Sequence, residues 1–383
     1  MKFLKKIFKW TAYLIGSIII LLYIFDYDYI LRGVKVVYFT GHNTAFIDDH
    51  PYFENDIIEK GNTQSPWPIH EDYNAINETK KLTSVNKDWG TIAYVIIKND
   101  SIWFEKYYDG FNENSKTNSF SMAKSITTSL LGKAIMDGYI EDLNQPVSDF
   151  YPEYDYAKTT VGDLASMASG LDWIELYTNP FCITARANYD NDLAETILNQ
   201  KVVKTPGVEF EYLSGSTALL GMVIQKATDK PLAKYLSESF WKPLGTTNDA
   251  LWQLDDKEHR LAKAFTSISS NAKDFARFGK LYKDHGKWGG KQLLDSAFVT
   301  KSITPRFAES PEYGYGWWLK DIGNKHFFMM RGHLGQYVFI EPNDNIIIVR
   351  LGHRKSPDEA VGAFTNDITV YIEEAYKMLG YDL

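Results

Sequence analysis

The hydrophobic pattern changes character several times along the chain. From Trp10 to Phe25 the run WTAYLIGSIIILLYIF is apolar almost throughout; Lys2, Lys5, Lys6 and Lys9 precede it, and Asp26 and Asp28 close it. Sixteen residues is short for a bilayer core, which takes about 20, but Ile7, Phe8 and a snorkelling Lys9 extend it, so the pattern predicts a membrane segment. Residues 36–89 are mixed and include a Pro-bearing polar stretch, Asn62 to Lys81, that reads as a surface segment or connector. At Gly90 the pattern becomes TIAYVIIKNDSIWFEKYY, two β-rich runs separated by Lys98, Asn99 and Asp100, which predicts a hairpin. Next, SMAKSITTSLLGKAIMDG carries Ile126, Leu130, Leu131, Ala134 and Ile135 at helical spacing, with Gly138 where a helix would end.

Residues 139–255 read mostly as helices and loops, including ALLGMVIQKAT and PLAKYLSESFW, whose Pro231 suits a first-turn position. Strand patterns return in HFFMMRG, in QYVFIE and, after a turn at Pro342 to Asn345, in IIIVRLGH; a last helix puts Ile368, Tyr371, Ile372 and Ala375 on one face. Strands towards both ends with helices between predict an α/β fold of the α+β type. It is an antiparallel sheet flanked by helices, with an inserted, mainly helical lobe and one N-terminal transmembrane helix. The divisions that follow are 1–27 for the lysines and anchor, 28–138 for the first part of the sheet domain with the helix that opens at Ser121, 139–255 for the helical lobe, and 256–383 for the rest of the sheet domain.

Composition supports a folded enzyme: 383 residues, 44% hydrophobic and 15% aromatic, can fill a large core. The formal net charge is -8, and setting aside the four N-terminal lysines leaves -12 for the rest, which argues against a nucleic-acid partner. Cys182 is the single cysteine, so the chain can form no intrachain disulfide, Cys-based zinc site or N-terminal lipidated cysteine. His42, His50, His70 and His285 lack metal-ligand spacing and read as surface or structural, so neither metal nor cofactor is expected. The lysines predict a cytoplasmic N-terminus with the rest on the outer face of the membrane. A cleaved signal peptide is the rival reading; the bulky FDYDYILRG that follows, without a small-x-small site, favours an uncleaved anchor.

Candidate chemistry starts from Ser-x-x-Lys, because residues three apart share a helix face and a lysine there can take the proton of a serine hydroxyl if its amine is uncharged. Bringing a lysine from about 10.4 to near 7 takes about 4 to 5 kcal/mol of burial and neighbouring positive charge, which only an enclosed site supplies. The motif occurs four times, at Ser84, Ser121, Ser239 and Ser270. Ser84 lies in polar sequence, Ser239 falls near a helix end, and Ser270 reads as the N-cap of NAKDFARFGKLY. Ser121 opens a helix whose N-terminal amides favour negative charge developing at its hydroxyl.

Downstream, EFEYLSGSTALLG places Tyr212 two residues before Ser214, ahead of an apolar helix, and RGHLGQYVFIE places His333 and Gly335 at a strand entrance. With SMAK, these elements in this order resemble the serine β-lactamase and penicillin-binding-protein superfamily. VGDLASMASGLDW, the PG of KTPGVEFEY, SSNAKDFARFGKLY and YGYGWW are similar to its class C and esterase branch, and the whole run is most similar to 6-aminohexanoate-dimer hydrolase type carboxylesterases and amidases. The resemblance covers roughly residues 90 to 352. It implies Ser121 as acylated nucleophile, Lys124 as its base, Tyr212 as proton shuttle, and the backbone N–H groups of Ser121 and Gln336 as oxyanion donors. It also implies His333 in the third-motif position and Gly335 as the point of close substrate approach, with Ser214 about the pocket. Tyr177, Trp173 and Trp317 are candidates to line that pocket, although aromatics in a chain so rich in them more often fill the core. Ser214 and His333 stand where relatives often carry Asn and Lys; a histidine is a weaker, pH-dependent cation, which argues against dedicated β-lactamase activity.

The leading expectation is therefore a membrane-anchored serine hydrolase that cleaves a small ester, amide or peptide. A D,D-peptidase or weak β-lactamase, and a catalytically idle peptidoglycan-binding protein, stand as alternatives. The physiological substrate and the oligomeric state are not specified by the sequence.

Overall fold

The computed structural model describes residues 1–383 apart from the side chain of Tyr156. Helix α1 (Lys2–Ile24) stands clear of the remainder with no residue buried. At about 1.5 Å per residue it reaches about 34 Å, long and apolar enough to cross a membrane. It begins at Lys2 rather than at the apolar run, since lysine is a good helix former and extends a nucleated helix at little cost. Helix α2 (Tyr29–Val37) follows after four residues.

The next elements are β1 (Asn55–Ile58), α3 (Lys80–Asp88), the hairpin β2 (Thr91–Lys98) and β3 (Ser101–Tyr107), β4 (Thr117–Asn118) and α4 (Met122–Met136). A helical stretch holds α5 (Val161–Ala165), α6 (Ile183–Tyr189), α7 (Leu193–Leu198), α8 (Ser214–Thr228) and α9 (Leu232–Leu236). After it come β5 (Ala250–Gln253), β6 (Ile268–Ser270), α10 (Ala272–Lys283), the short pair β7 (Lys287–Trp288) and β8 (Lys291–Gln292), and α11 (Ser296–Ser302). Last are β9 (Trp318–Ile322), β10 (Lys325–Gly332), β11 (Gln336–Glu341), β12 (Ile346–Gly352) and α12 (Asn366–Leu379).

The main sheet is antiparallel in the order β3-β2-β12-β11-β10-β9, so the early hairpin pairs with the last strand. The β2–β3 turn uses Asn99 and Asp100, both with positive φ, as a tight two-residue hairpin requires. Helices cover both faces, which is why the strands read as unbroken apolar runs. Val95, Val338, Ile347 and Val349 share a core with Ile126 and Leu130 of α4 and Leu281 of α10. Their neighbours Tyr94, Phe339, Ile346 and Ile348 pack on the other side with Ile368, Tyr371 and Ile372 of α12, as the two-residue alternation of a strand dictates. A smaller antiparallel sheet, β1-β5-β6-β4, lies at the edge of the site and ends just before Ser121.

Three local expectations need correction. Pro231 is the N-cap of α9 and not a first-turn residue. Ala250–Gln253, within the stretch read as helical, is a strand of the smaller sheet. Ser270 does not cap α10: it ends β6 with its side chain buried, and Asn271 caps the helix by accepting from the Asp274 N–H. An amide oxygen one residue later fits the same donor, a choice that a run of serine and asparagine leaves open.

Candidate active site

Helix α4 is buried on all sides, twelve of its residues being inaccessible, so it runs through the centre of the molecule and holds its first turn rigidly. Ser121 is its N-cap. The residue before it, Phe120, has φ of 45°, a left-handed conformation that a bulky side chain adopts only when its surroundings impose it. The constraints are visible. The Phe120 N–H donates to Asn118 Oδ1 at 2.7 Å, its carbonyl accepts from the Ala123 N–H at 3.0 Å, and its ring packs edge-on against His333 at 5.5 Å. This bend turns Ser121 out of the small sheet and into a cavity. The Ser121 N–H has no acceptor among the described residues.

Lys124 follows one helical turn later and is 2% exposed. Its Nζ donates to Ser121 Oγ at 3.1 Å and to the Phe265 carbonyl at 2.9 Å, and no ion pair involves it among the described residues. The Tyr212 ring lies 5.1 Å from the same nitrogen, and the Phe265 ring lies 5.7 Å away. Tyr212, half-buried, is packed in turn against Trp318 and Tyr313. An amine held by one carbonyl and one hydroxyl, with aromatic faces around it and no carboxylate, is positioned to exchange a proton with that hydroxyl.

His333 lies between the Phe120 ring and Tyr177, which stacks on it at 5.7 Å. Burial there, with the Lys355 charge nearby, lowers its pKa to about 4, which makes it a still weaker cation at neutral pH than an ordinary histidine. The turn it opens is held from behind by Arg350. That buried guanidinium donates to the carbonyls of Leu334, Gly335, Trp89 and Arg354 and to Thr91 Oγ1. Gly335 has φ of 82°, and a Cβ on it would stand 2.2 Å from Arg350 Nη1, so glycine is required by the chain's own packing. Gln336 is buried and joined through its side-chain amide to both backbone groups of Gly352 and to the His333 carbonyl.

Ser121, Tyr177, Ser214 and His333 border one cavity of about 540 Å³. Lys124, Tyr212, Gly335 and Gln336 are not among the residues that line it: Lys124 reaches the cavity through Ser121, Tyr212 packs behind Lys124, and Gln336 holds the His333 carbonyl. Two expected pocket residues lie elsewhere. Trp317 is fully buried in the core, 4.3 Å from the Tyr282 ring, because alternation along the approach to β9 turns it inward. Trp173 lies against Gly215 and donates to Glu175 at 2.9 Å. Glu175 is a residue that sequence reasoning missed. Its carboxylate accepts from Trp173, from Tyr177 and from both the N–H and the hydroxyl of Ser214, each of these last at 2.7 Å. It thereby fastens the loop bearing Tyr177 to the start of α8. The Ser214 hydroxyl proton is committed to it. Missed too were the Phe265 carbonyl, a backbone group with no sequence signal, and Asn118, which donates to Asp49, a carboxyl whose pKa burial raises. Helix α2 was missed as well; Ile30, Val34 and Val37 form the far wall of the cavity.

The Beta-lactamase family model matches residues 83–370. The 6-aminohexanoate-dimer hydrolase of Paenarthrobacter ureafaciens is 25% identical over 299 residues, 70% of this chain and 74% of that protein. A solved structure of a candidate 6-aminohexanoate-dimer hydrolase from Bacillus anthracis superposes with a TM-score of 0.74, covering 92% of this chain and 95% of the other at 22% identity. The penicillin binding protein from Bacillus halodurans superposes with a TM-score of 0.61, covering 77% and 99% at 18% identity, a likeness of fold.

Proposed function

The chain belongs to the Beta-lactamase family, and from that premise we propose that it is a serine hydrolase that cleaves a carboxylic ester or amide through an acyl-enzyme on Ser121. The observation that carries this reading is the 3.1 Å contact between Ser121 Oγ, which borders the cavity, and the buried Nζ of Lys124, which no carboxylate pairs among the described residues. In the first step the hydroxyl proton passes to Lys124 Nζ while Oγ bonds to the acyl carbon. The resulting oxyanion is held by the N–H groups of Ser121 and Gln336. The bond from the acyl carbon to the leaving oxygen or nitrogen then breaks, and that atom receives the proton by way of Tyr212. Water reverses the sequence: it gives a proton to the same base, attacks the acyl carbon, and releases the acid as Oγ is reprotonated.

The neutral His333 favours an ester or amide without a carboxylate beside the scissile bond over a β-lactam, whose carboxylate wants a fixed cation. Helix α1 is the anchor in this reading, with Lys2, Lys5, Lys6 and Lys9 on the cytoplasmic side and the hydrolase on the outer face. The test is turnover of p-nitrophenyl butyrate with fluorophosphonate labelling read by mass spectrometry. Wild type hydrolyses the ester and takes the label on Ser121, and Ser121→Ala does neither. Equal turnover by the two proteins would refute the assignment.

A further inference from the structure

The cavity beside Ser121 has an unusual far wall. Helix α2 turns Ile30, Val34 and Val37 towards it, at the spacing of a single helix face, and Ile30 and Val34 stay only half-buried because they meet the cavity instead of the core. That helix is the first element after α1. The link is four residues long and compact: the Phe25 and Tyr27 N–H groups bond back to the Leu21 and Leu22 carbonyls. It is also pinned to the opposite lip of the cavity. Arg186 pairs with Asp26 at 2.6 Å, the Tyr27 ring meets Phe181 at 5.5 Å, and the Tyr29 hydroxyl donates to the Pro180 carbonyl at 3.0 Å. If α1 spans a bilayer, the cavity's α2 wall therefore stands at the membrane surface. The rim agrees. Tyr38 and Tyr177 line the cavity and are 62% and 55% exposed, and Phe39 and Phe181, each next in sequence to a lining residue, are 81% and 60% exposed, an aromatic-rich apolar margin of the kind that sits among lipid headgroups.

We infer that the substrate of Ser121 is an amphiphile drawn from the bilayer, an ester or amide whose hydrocarbon chain lies along Ile30, Val34 and Val37 while its carbonyl reaches Ser121. This rests on the anchored-hydrolase reading and names its substrate class. The occupant is membrane-borne because the apolar wall is continuous, through four residues, with the helix that enters the bilayer. A cavity of about 540 Å³ has room for a chain of drug-like size. Each methylene moved from water onto such a wall is worth about fourfold in affinity.

The experiment uses the full-length chain in phosphatidylcholine vesicles with two fluorogenic esters, 4-methylumbelliferyl oleate dissolved in the same vesicles and 4-methylumbelliferyl acetate in the surrounding water. The oleate is expected to show kcat/KM at least tenfold above the acetate. Val34→Asp is expected to lower the oleate-to-acetate ratio at least tenfold while still taking a fluorophosphonate on Ser121. Val34→Thr, which keeps the side-chain shape and serves if the aspartate disturbs folding, is expected to lower the ratio about threefold. Oleate turned over no faster than acetate, or a ratio unmoved by both substitutions, would overturn the inference and leave the hydrolase standing. Absence of turnover on both esters, with no labelling, would remove the underlying hydrolase assignment as well.

Discussion

The cavity wall that carries Ser121 and the wall that carries Ile30 and Val34 are held in different ways. Around Ser121 the supporting side chains have buried partners: Lys124 on Phe265, Gln336 on Gly352, and Arg350 on four carbonyls and a hydroxyl. Helix α2 has three buried residues, Tyr29, Val36 and Val37, against twelve in α4, and its hold includes single contacts such as Arg32 to the Asp255 carbonyl at 2.7 Å. Acyl transfer needs its groups placed to about half an ångström, which demands over-determined packing. A surface that only accommodates a chain has no such requirement. On the proposed mechanism the fold separates a fixed reacting corner from a less buried wall beside it, and substitutions on the two sides are expected to have effects of different kinds.

The sharpest separation comes from Lys124→Met. Methionine matches the lysine stem in length and suits a site that is 2% exposed, so the fold should tolerate it while the base is lost. The expectation is at least a 10³-fold fall in kcat for p-nitrophenyl butyrate, with the melting temperature within about 4 °C of wild type. The double variant with Ser121→Ala should be no worse than Ser121→Ala alone, because residues of one catalytic unit do not add. Retention of more than a tenth of the activity would mean that another group takes the proton.

How far this division could be read in advance depends on where the information resides. The hairpin, the helix from Ser121 and the three C-terminal strands were legible because apolar spacing and turn residues are local. Ser121, Lys124, Tyr212 and His333 were singled out by motif order, and the fold brings them around one corner of the cavity. Trp317 misled because burial is decided by tertiary direction, and an aromatic near a motif carries no sign of which way it faces. The Phe265 carbonyl and Glu175 had no signal at all: one is a backbone atom, and the other becomes important only when Trp173, Tyr177 and Ser214 converge on it. The role of α2 was hidden because the helix is only nine residues long and runs from just after the apolar segment into the mixed stretch that begins at residue 36.

Arg350→Met tests whether the fixed corner depends on the support behind it. Five acceptors lose their buried donor, Leu334 and Gly335 among them, at an expected cost of about 3 kcal/mol in urea unfolding. Because these carbonyls set the turn that presents His333 and Gln336, kcat should fall in the fraction that remains folded. A loss below 1 kcal/mol would show that the turn stands without the guanidinium.

His333 gives a smaller, pH-dependent effect. Its folded value of about 4 lies below the ordinary 6.5, so between these pH values the unfolded chain binds the extra proton. The stability associated with the neutral ring is therefore complete above about pH 6.5 and is lost as pH falls towards 4. At about 1.36 kcal/mol per unit, roughly 2 kcal/mol should disappear between pH 7 and pH 4.5. His333→Gln lacks this dependence, so the stability difference between wild type and variant should shift by that amount against the wild type on acidification. Parallel curves would mean that the ring is hydrated and titrates normally.

The smallest effect tests the less buried wall itself. Arg186 pairs with Asp26 and Asp190 and lies 4.7 Å from the Tyr29 ring, which ties the link after α1 to α6. Asp26 is largely exposed, so its pair is screened by water and contributes less than about 1 kcal/mol, and the cation–ring contact adds a similar amount at most. Arg186→Ala should accordingly leave global unfolding within about 1 kcal/mol of wild type. Hydrogen exchange is the discriminating measurement, because local opening is reported segment by segment. Amides of α2 should exchange several-fold faster in the variant, while those of α4 keep their protection. If α4 loosened in step with α2, the two walls would open as one cooperative unit, and the separation of a fixed reacting corner from a yielding wall would fail.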